Sequence, residues 1–430
     1  MWRARLDSDG LLAALSQLAR KQQHGRHPRA LLGGELAFGA LGDRAPAFLS
    51  ELAATIARGE YQFGPVVPTR AFLEGKLRVL YRAEPLDMIV NAALAAELAP
   101  VLEPAFSDRL YSYRRGRSSW QAVQAVVDYL GQHRATRPNP RTRGLYVMRR
   151  DILAYGEAIP VGDDSALWMQ LERTAHPDAA TFALLREALR PMLSGSTERV
   201  QSVPTGSALQ PLMCNLYLTP VDAFALSVEG GFYARSGDDI LFMHPDAAVA
   251  RRAAAEIEQI IADLRLALSD PKTLNLYFNG AGRTSDEWVE ARGTTQFQYL
   301  GARIDFRGGV ALKTDRARLL LQRLRRRIDN TLRLVDRGSI EKRADLVCAV
   351  LERALEPTNP QCDPAVPLLL GAINDRHQLR QLDHWIALDV AQRVTGVTGP
   401  RAFRKLSYRA LRRNHGLPSL VVMRHRRGPQ

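Results

Sequence analysis

The sequence predicts a mixed α/β (α+β) chain with an acid-tipped antiparallel ribbon and a helical, basic final third. Three observations predict it. Two β-rich runs, Phe232-Tyr-Ala-Arg235 and Ile240-Leu-Phe-Met243, flank a tight Ser236-Gly-Asp-Asp239. Apolar residues recur at helical spacing elsewhere, as at Ile257, Ile260, Ile261 and Leu264. The charge is lopsided: residues 306–430 hold 25 Lys+Arg against 11 Asp+Glu, which is the whole net charge of +14. A neutral body with a basic arm suits a polyanion, and nucleic acid is favoured over a membrane because no amphipathic anchor stands out.

At 430 residues the chain can bury a large core and divide into several lobes. Hydrophobic content of 46% and charged content of 24% are ordinary for a globular protein. No run approaches ~18 uninterrupted apolar residues, and the opening MWRARLDSDG lacks the apolar centre of a secretory signal. Cys214, Cys348 and Cys362 lie far apart without metal spacing, so reduced thiols and a cytoplasmic setting are expected.

Residues 10–60 are predicted helical, with Leu11, Leu12, Leu15 and Leu18 on one face and a basic patch from Lys21 to Arg26. Glu74 to Arg82 alternates as a strand or hairpin, so Lys76, Arg78 and Arg82 share a face; phosphate binding and a salt-bridged surface both fit. A helix follows Pro85. Next, Arg114, Arg115 and Arg117 surround a glycine among aromatics, a composition that can hold a backbone and stack a base. A helix then runs from Trp120 to Tyr129.

Leu145 to Ile152 is a strand ending near Asp151, and residues 163–200 are helical by pattern, with Leu167 and Leu171 and then Phe182, Leu185 and Leu189, closed by Ser194-Gly195. Val203-Pro-Thr-Gly-Ser207 is a turn, and Ser207 is placed to cap a helix running to about Leu226 with Pro211 in its first turn. In the acidic stretch Gly237 permits the positive φ of a two-residue hairpin turn, which puts Asp238 and Asp239 at the tip. Taken alone, a solvated Asp-Asp turn and a cation-binding tip fit it equally well. After a helix from 247 to 264, residues 266–272 form a strand ending in Lys272, and residues 297–304 form another. From 319 to 334 the pattern is helical and carries Arg323, Arg325, Arg326 and Arg327. Trp120 and Trp385 are taken as core residues.

Five of these signals in register resemble the palm of bacterial reverse transcriptases, the group that includes group II intron proteins, retrons and antiphage-defence enzymes. Asp151-Ile152 resembles motif A, Val203-Pro-Thr-Gly-Ser-Ala-Leu-Gln-Pro211 motif B, Gly237-Asp-Asp239 motif C, Lys272 motif D, and Phe297-Gln-Tyr-Leu-Gly301 motif E. Upstream, Gly75-Lys-Leu-Arg78 and Tyr113-Arg-Arg-Gly-Arg-Ser118 resemble the fingers motifs. The resemblance covers residues 75–304.

It implies a right-hand polymerase: a helical extension (1–70), fingers (71–144), an antiparallel palm (145–305, with 163–200 a helical insertion) and a basic thumb and C-terminal domain (306–430). It implies RNA-directed DNA synthesis with two Mg²⁺ ions, or Mn²⁺ in their place, held by Asp151, Asp238, Asp239 and the Ile152 carbonyl. Lys272 would be the proton donor to pyrophosphate. Lys76, Arg78, Tyr155, Gly156, Thr205 and Gly206 would line the nucleotide site. Arg114, Arg115, Arg117, Tyr299, Gly301, Arg323, Arg326 and Arg327 would contact nucleic acid. The implied partners are an RNA template, a primer or product strand, a dedicated noncoding RNA and a second defence protein, without a membrane. No Cys-rich finger follows the thumb, which favours a retron-like or antiviral role over a mobile intron protein.

Three positions depart from the family's pattern. Ser236 stands where a tyrosine is usual, Thr205 where a glutamine is usual, and Gly156 where a bulky aromatic normally gates against the ribose 2′-hydroxyl. An RNA-synthesising or template-independent transferase, and a catalytically silent RNA-binding scaffold, are therefore the rival readings.

Overall fold

The structure, a computed structural model, describes residues 1–23, 45–73, 76–136, 144–335 and 338–426, with the backbone alone at Leu73 and Lys76. Residues 24–26 of the basic patch, Gly75 and the Lys76 side chain lie outside the described residues. Among the described residues there are ten strands: β1 (Val67–Leu73), β2 (Lys76–Arg82), β3 (Leu145–Asp151), β4 (Phe232–Ser236), β5 (Asp239–His244), β6 (Leu274–Phe278), β7 (Arg292–Thr294), β8 (Gln296–Tyr299), β9 (Ala302–Asp305) and β10 (Val310–Leu312). They form a β1-β2 ribbon, a three-stranded β10-β9-β8 sheet and a five-stranded sheet in the order β4-β5-β3-β6-β7. The β1/β2, β4/β5, β8/β9 and β9/β10 pairs are antiparallel and β6/β7 is parallel. The class is α/β, as the sequence predicts.

The chain divides into two compact units, one of residues 1–117, 148–243 and 248–274, the other of 118–147, 244–247 and 275–430. In the first, helix Pro85–Leu102 starts on a proline whose missing N–H is harmless there. Nine of its residues are buried, and it packs on helices Ser8–Gln23, Ala166–Ala175 and Gln210–Tyr217. By length and composition this helix, extended to Ala105, could cross a membrane; half of that window is buried within the protein. Residues of β5 are buried on both faces, which is why the run is continuously apolar rather than alternating.

One helical stretch divides and one predicted helix is broken. Residues 163–200 hold two, Ala166–Ala175 and Ala179–Leu189, separated by left-handed His176 (φ 46°) and Pro177, with Asp178 capping the second. The helix expected up to Leu226 is also two, Gln210–Tyr217 and Thr219–Ser227, because Pro220 cannot donate into the preceding turn. Residues 266–272 are not a strand. Only Leu268 bridges, to Ile152, and Asp270–Lys272 is a 3₁₀ turn around Pro271.

In the second unit the expected single strand over 297–304 is instead the β8–β9 hairpin, turning at Leu300 (φ 46°) and Gly301 (φ 84°). Helix Thr314–Arg333 buries Leu320, Leu324 and Ile328 at i, i+4 and i+8. Trp120 is half-buried against Gly371, where a Cβ would come within 2.6 Å of its ring. Trp385, expected in the core, is 52% exposed.

Candidate functional site

The β4–β5 ribbon turns where the sequence places the turn. Ser236 pairs with Asp239, and Gly237 has φ +65°, so the two-residue tip is Gly237-Asp238. The tip is clamped from beneath. Arg235, fully buried, is bidentate to Asp222 (2.7 and 2.6 Å) and donates to the Gly237 carbonyl at 3.2 Å and the Asn215 carbonyl at 3.0 Å. Burial opposes its charge, but Asp222 outweighs this and holds the guanidinium protonated. Above it, the Gly237 N–H donates to Ser112 Oγ at 2.7 Å, and Asn215 Nδ2 donates to the Ser112 carbonyl at 2.9 Å.

Asp151 sits at the end of β3. Beyond it the chain pairs with residues 267–269: Leu153 N–H donates to Ala267 O and Ser269 N–H to Asp151 O, both at 2.8 Å. The 3₁₀ turn that follows swings Lys272 back, so its Nζ lies 2.6 Å from Asp151 Oδ2. Asp238 has its carboxyl pushed above the usual range, first by burial and then by the negative charge of Asp151, with Lys272 offsetting part of it. Asp239 is also raised by burial, against the pull of Arg149, which grips both of its oxygens at 2.8 and 2.6 Å.

Asp151 and Asp238 thus share an electrostatic environment, and their oxygen donors suit a hard divalent cation that offsets the repulsion and the desolvation acting on Asp238. Both oxygens of Asp239 accept from Arg149, which ties the ribbon to β3. Among the described residues no group of three or more His, Cys, Asp or Glu forms a metal set. Ile152 is buried and bridged to Leu268.

The motif A and motif B segments meet through Gln210. Its Nε2 donates to the Gly156 carbonyl (3.1 Å) and to Thr205 Oγ1 (3.4 Å), and its Oε1 accepts from the Gly206 N–H (3.2 Å). Thr205 is buried, and its carbonyl accepts from the Tyr81 N–H at 3.0 Å, tying this loop to β2. Arg78 pairs with Glu157 at 3.7 Å, and both are about one-third exposed. Tyr155 is buried with its hydroxyl donating to the Cys214 carbonyl at 2.6 Å, so it does not face a nucleotide as expected. A Cβ at Gly156 would lie 2.6 Å from Gln210 Nε2. Gly156→Ala is therefore expected to cost about 1–2 kcal/mol in urea titration, as should Gln210→Ala. The double variant should lose little more than either single; full additivity would show that Gln210 is not the residue displaced.

The residues missed in the sequence are Arg149, Gln210, Arg235 and Ser112. Arg149 had a signal, because strand alternation puts 149 and 151 on one face. Gln210 lies within the motif B run. Nothing local marks Arg235 as buried.

Several expected nucleic-acid contacts are occupied otherwise. The Arg114 side chain is 6% exposed, with its guanidinium bonded to Glu103 and to the Ser107 and Leu110 carbonyls. Arg117 pairs with Asp108, and Arg115 is exposed. Tyr299 is fully buried and Gly301 forms its hairpin turn. Arg323 is bidentate to buried Asp363 (2.5 and 2.6 Å), and Arg327 donates to the Gln361 carbonyl at 2.7 Å; these arginines hold their helix to its neighbours. Arg326 is exposed.

No protein-family model matches the chain. Protein YkfC of Escherichia coli (strain K12) is 26% identical over 175 residues, which is 39% of this chain and 42% of that protein. The chain therefore matches less than half the length of this curated relative. Among solved structures, telomerase from Candida albicans with a TWJ fragment of telomeric RNA aligns with a TM-score of 0.45 at 10% identity, over 83% of this chain and 64% of that one. Apo telomerase from Candida Tropicalis gives 0.46 at 11% identity, over 85% and 63%.

Proposed function

We propose that this chain is a right-hand polymerase of the reverse-transcriptase kind, extending a nucleic-acid 3′ end on an RNA template. The observation that carries the reading is Asp238 at a clamped hairpin tip, its charge opposed by Asp151 from the end of β3. Motifs in the order found for that family support it. Asp151 and Asp238 would hold Mg²⁺, which when bound supplies Lewis acidity at the phosphates. Lys272, with its Nζ 2.6 Å from Asp151 Oδ2 and its side chain 44% exposed, would be the proton donor to a leaving pyrophosphate. Arg78 would meet the triphosphate, and the Gly206 backbone would pass close to the nucleotide. The resemblance extends the proposal to a structured noncoding RNA and a cytoplasmic antiphage role with a second protein.

One observation favours a second reading, RNA synthesis. Gly156 has no side chain to meet a 2′-hydroxyl, and the Tyr155 hydroxyl is committed to Cys214. Offering purified protein dNTPs and rNTPs separately, with and without copurified RNA, decides between them; incorporation of rNTPs alone rejects reverse transcription. A silent scaffold predicts no incorporation of either, with biological activity surviving Asp238→Ala combined with Asp239→Ala.

Cation binding has its own readout. Mg²⁺ at a hundredfold excess over its Kd should stabilise chelator-treated protein by about 2–3 kcal/mol. Asp238→Asn should lose most of that gain. A melting curve indifferent to Mg²⁺ in the parent would remove the cation from the proposal.

A further inference from the structure

We infer that an exposed aromatic and basic face of the second unit is a stacking platform for unpaired bases of a single-stranded nucleic acid. This deepens the nucleic-acid reading above and rests on it. Four rings adjoin one another: Trp385 lies 6.0 Å from His384, His384 5.8 Å from Phe403, and Phe403 6.4 Å from Tyr408. They come from helix Arg376–Thr395, the 3₁₀ turn Gly399–Arg404 and helix Tyr408–Arg413. Trp385 is 52% and Tyr408 38% exposed, although large apolar rings gain most from burial.

The elements that carry Phe403 and Tyr408 hold cations and no acid. Arg401, Arg404, Lys405, Arg409 and Arg413 are all exposed, and no acid occurs in residues 391–430. The nearby acids of the long helix are spent inside the unit. Asp383 accepts from Ser419 Oγ and the Leu420 N–H and pairs with Arg412 at 3.2 Å, while Asp389 is gripped by Arg325. Arg412 in turn lies 5.1 Å from the Tyr408 ring centroid, which fixes that ring in place.

Cations attract phosphates whatever the sequence, and exposed rings stack on base faces. A duplex hides those faces between its own pairs, so the rings select unpaired strand. The chemistry is shared by RNA and DNA, and the strands offered in the test separate them.

The test is equilibrium binding of the full chain, without nucleotides, to labelled 12-residue oligoadenylates of ribose and deoxyribose. A deoxyribose strand with abasic residues supplies the control. Trp385→Ala is expected to weaken binding of base-bearing strand about tenfold and to leave abasic strand unchanged. Arg401→Gln with Arg404→Gln and Arg409→Gln should weaken both and flatten the salt dependence by about two to three charges. Equal affinity of the parent for abasic and base-bearing strand, or parental affinity in Trp385→Ala, overturns the platform. Nucleotide addition on a primed template, measured beside it, fails separately if the polymerase reading is wrong.

Discussion

Asp238→Asn is expected to reduce nucleotide addition by about 10²–10³-fold, the scale of removing one electrostatic contributor to a transition state. The amide keeps the shape of the carboxylate at the hairpin tip and lacks its charge. Because burial and Asp151 both oppose that charge, the variant should melt no lower than the parent in chelator. Loss of activity with unchanged or raised stability therefore assigns the defect to chemistry. Asp239→Asn should behave differently, since it weakens the bidentate grip of Arg149 and should lower stability as well. If Asp238→Asn adds nucleotides at the parental rate, the site lies elsewhere.

Arg235→Met is expected to destabilise the first unit by about 3–5 kcal/mol, the cost of leaving one partner of a buried ion pair uncompensated. Asp222 would be left 3% exposed, with the Tyr233 hydroxyl at 2.6 Å still donating to it. The Gly237 and Asn215 carbonyls would lose their shared donor. Combining Arg235→Met with Asp222→Leu should recover much of the loss, because the second change removes the stranded charge. Urea titration of the three variants measures this. A double variant as unstable as the single would mean that the arginine matters through packing and its carbonyl bonds, and that Asp222 contributes little.

Local signals served well where one residue type has one conformational use. Gly237 between β-rich runs marked the turn, and the Ile257, Ile261 and Leu264 stripe marked a helix, both of which the structure contains. They failed where a break needed a second residue to reveal it. Residues 297–304 alternate without interruption, yet Leu300 and Gly301 both take positive φ and fold the run on itself. Arginines were the least legible. Exposed Arg326 and exposed Arg115 resemble Arg323 and Arg114 in sequence, but the latter two are tied to Asp363 and Glu103, 40 and 11 positions away.

The sequence by itself determined the strand that ends near Asp151, the acidic turn and the excess of positive charge, because each depends on residues adjacent in the chain. Only the tertiary structure decided which charges remain available. Arg149 reaches Asp239 across 90 positions and Lys272 reaches Asp151 across 121, so pairing is set by which strand ends come together and not by spacing. The same holds for Trp385: periodicity describes a helix, but whether a ring is buried depends on what packs against that face.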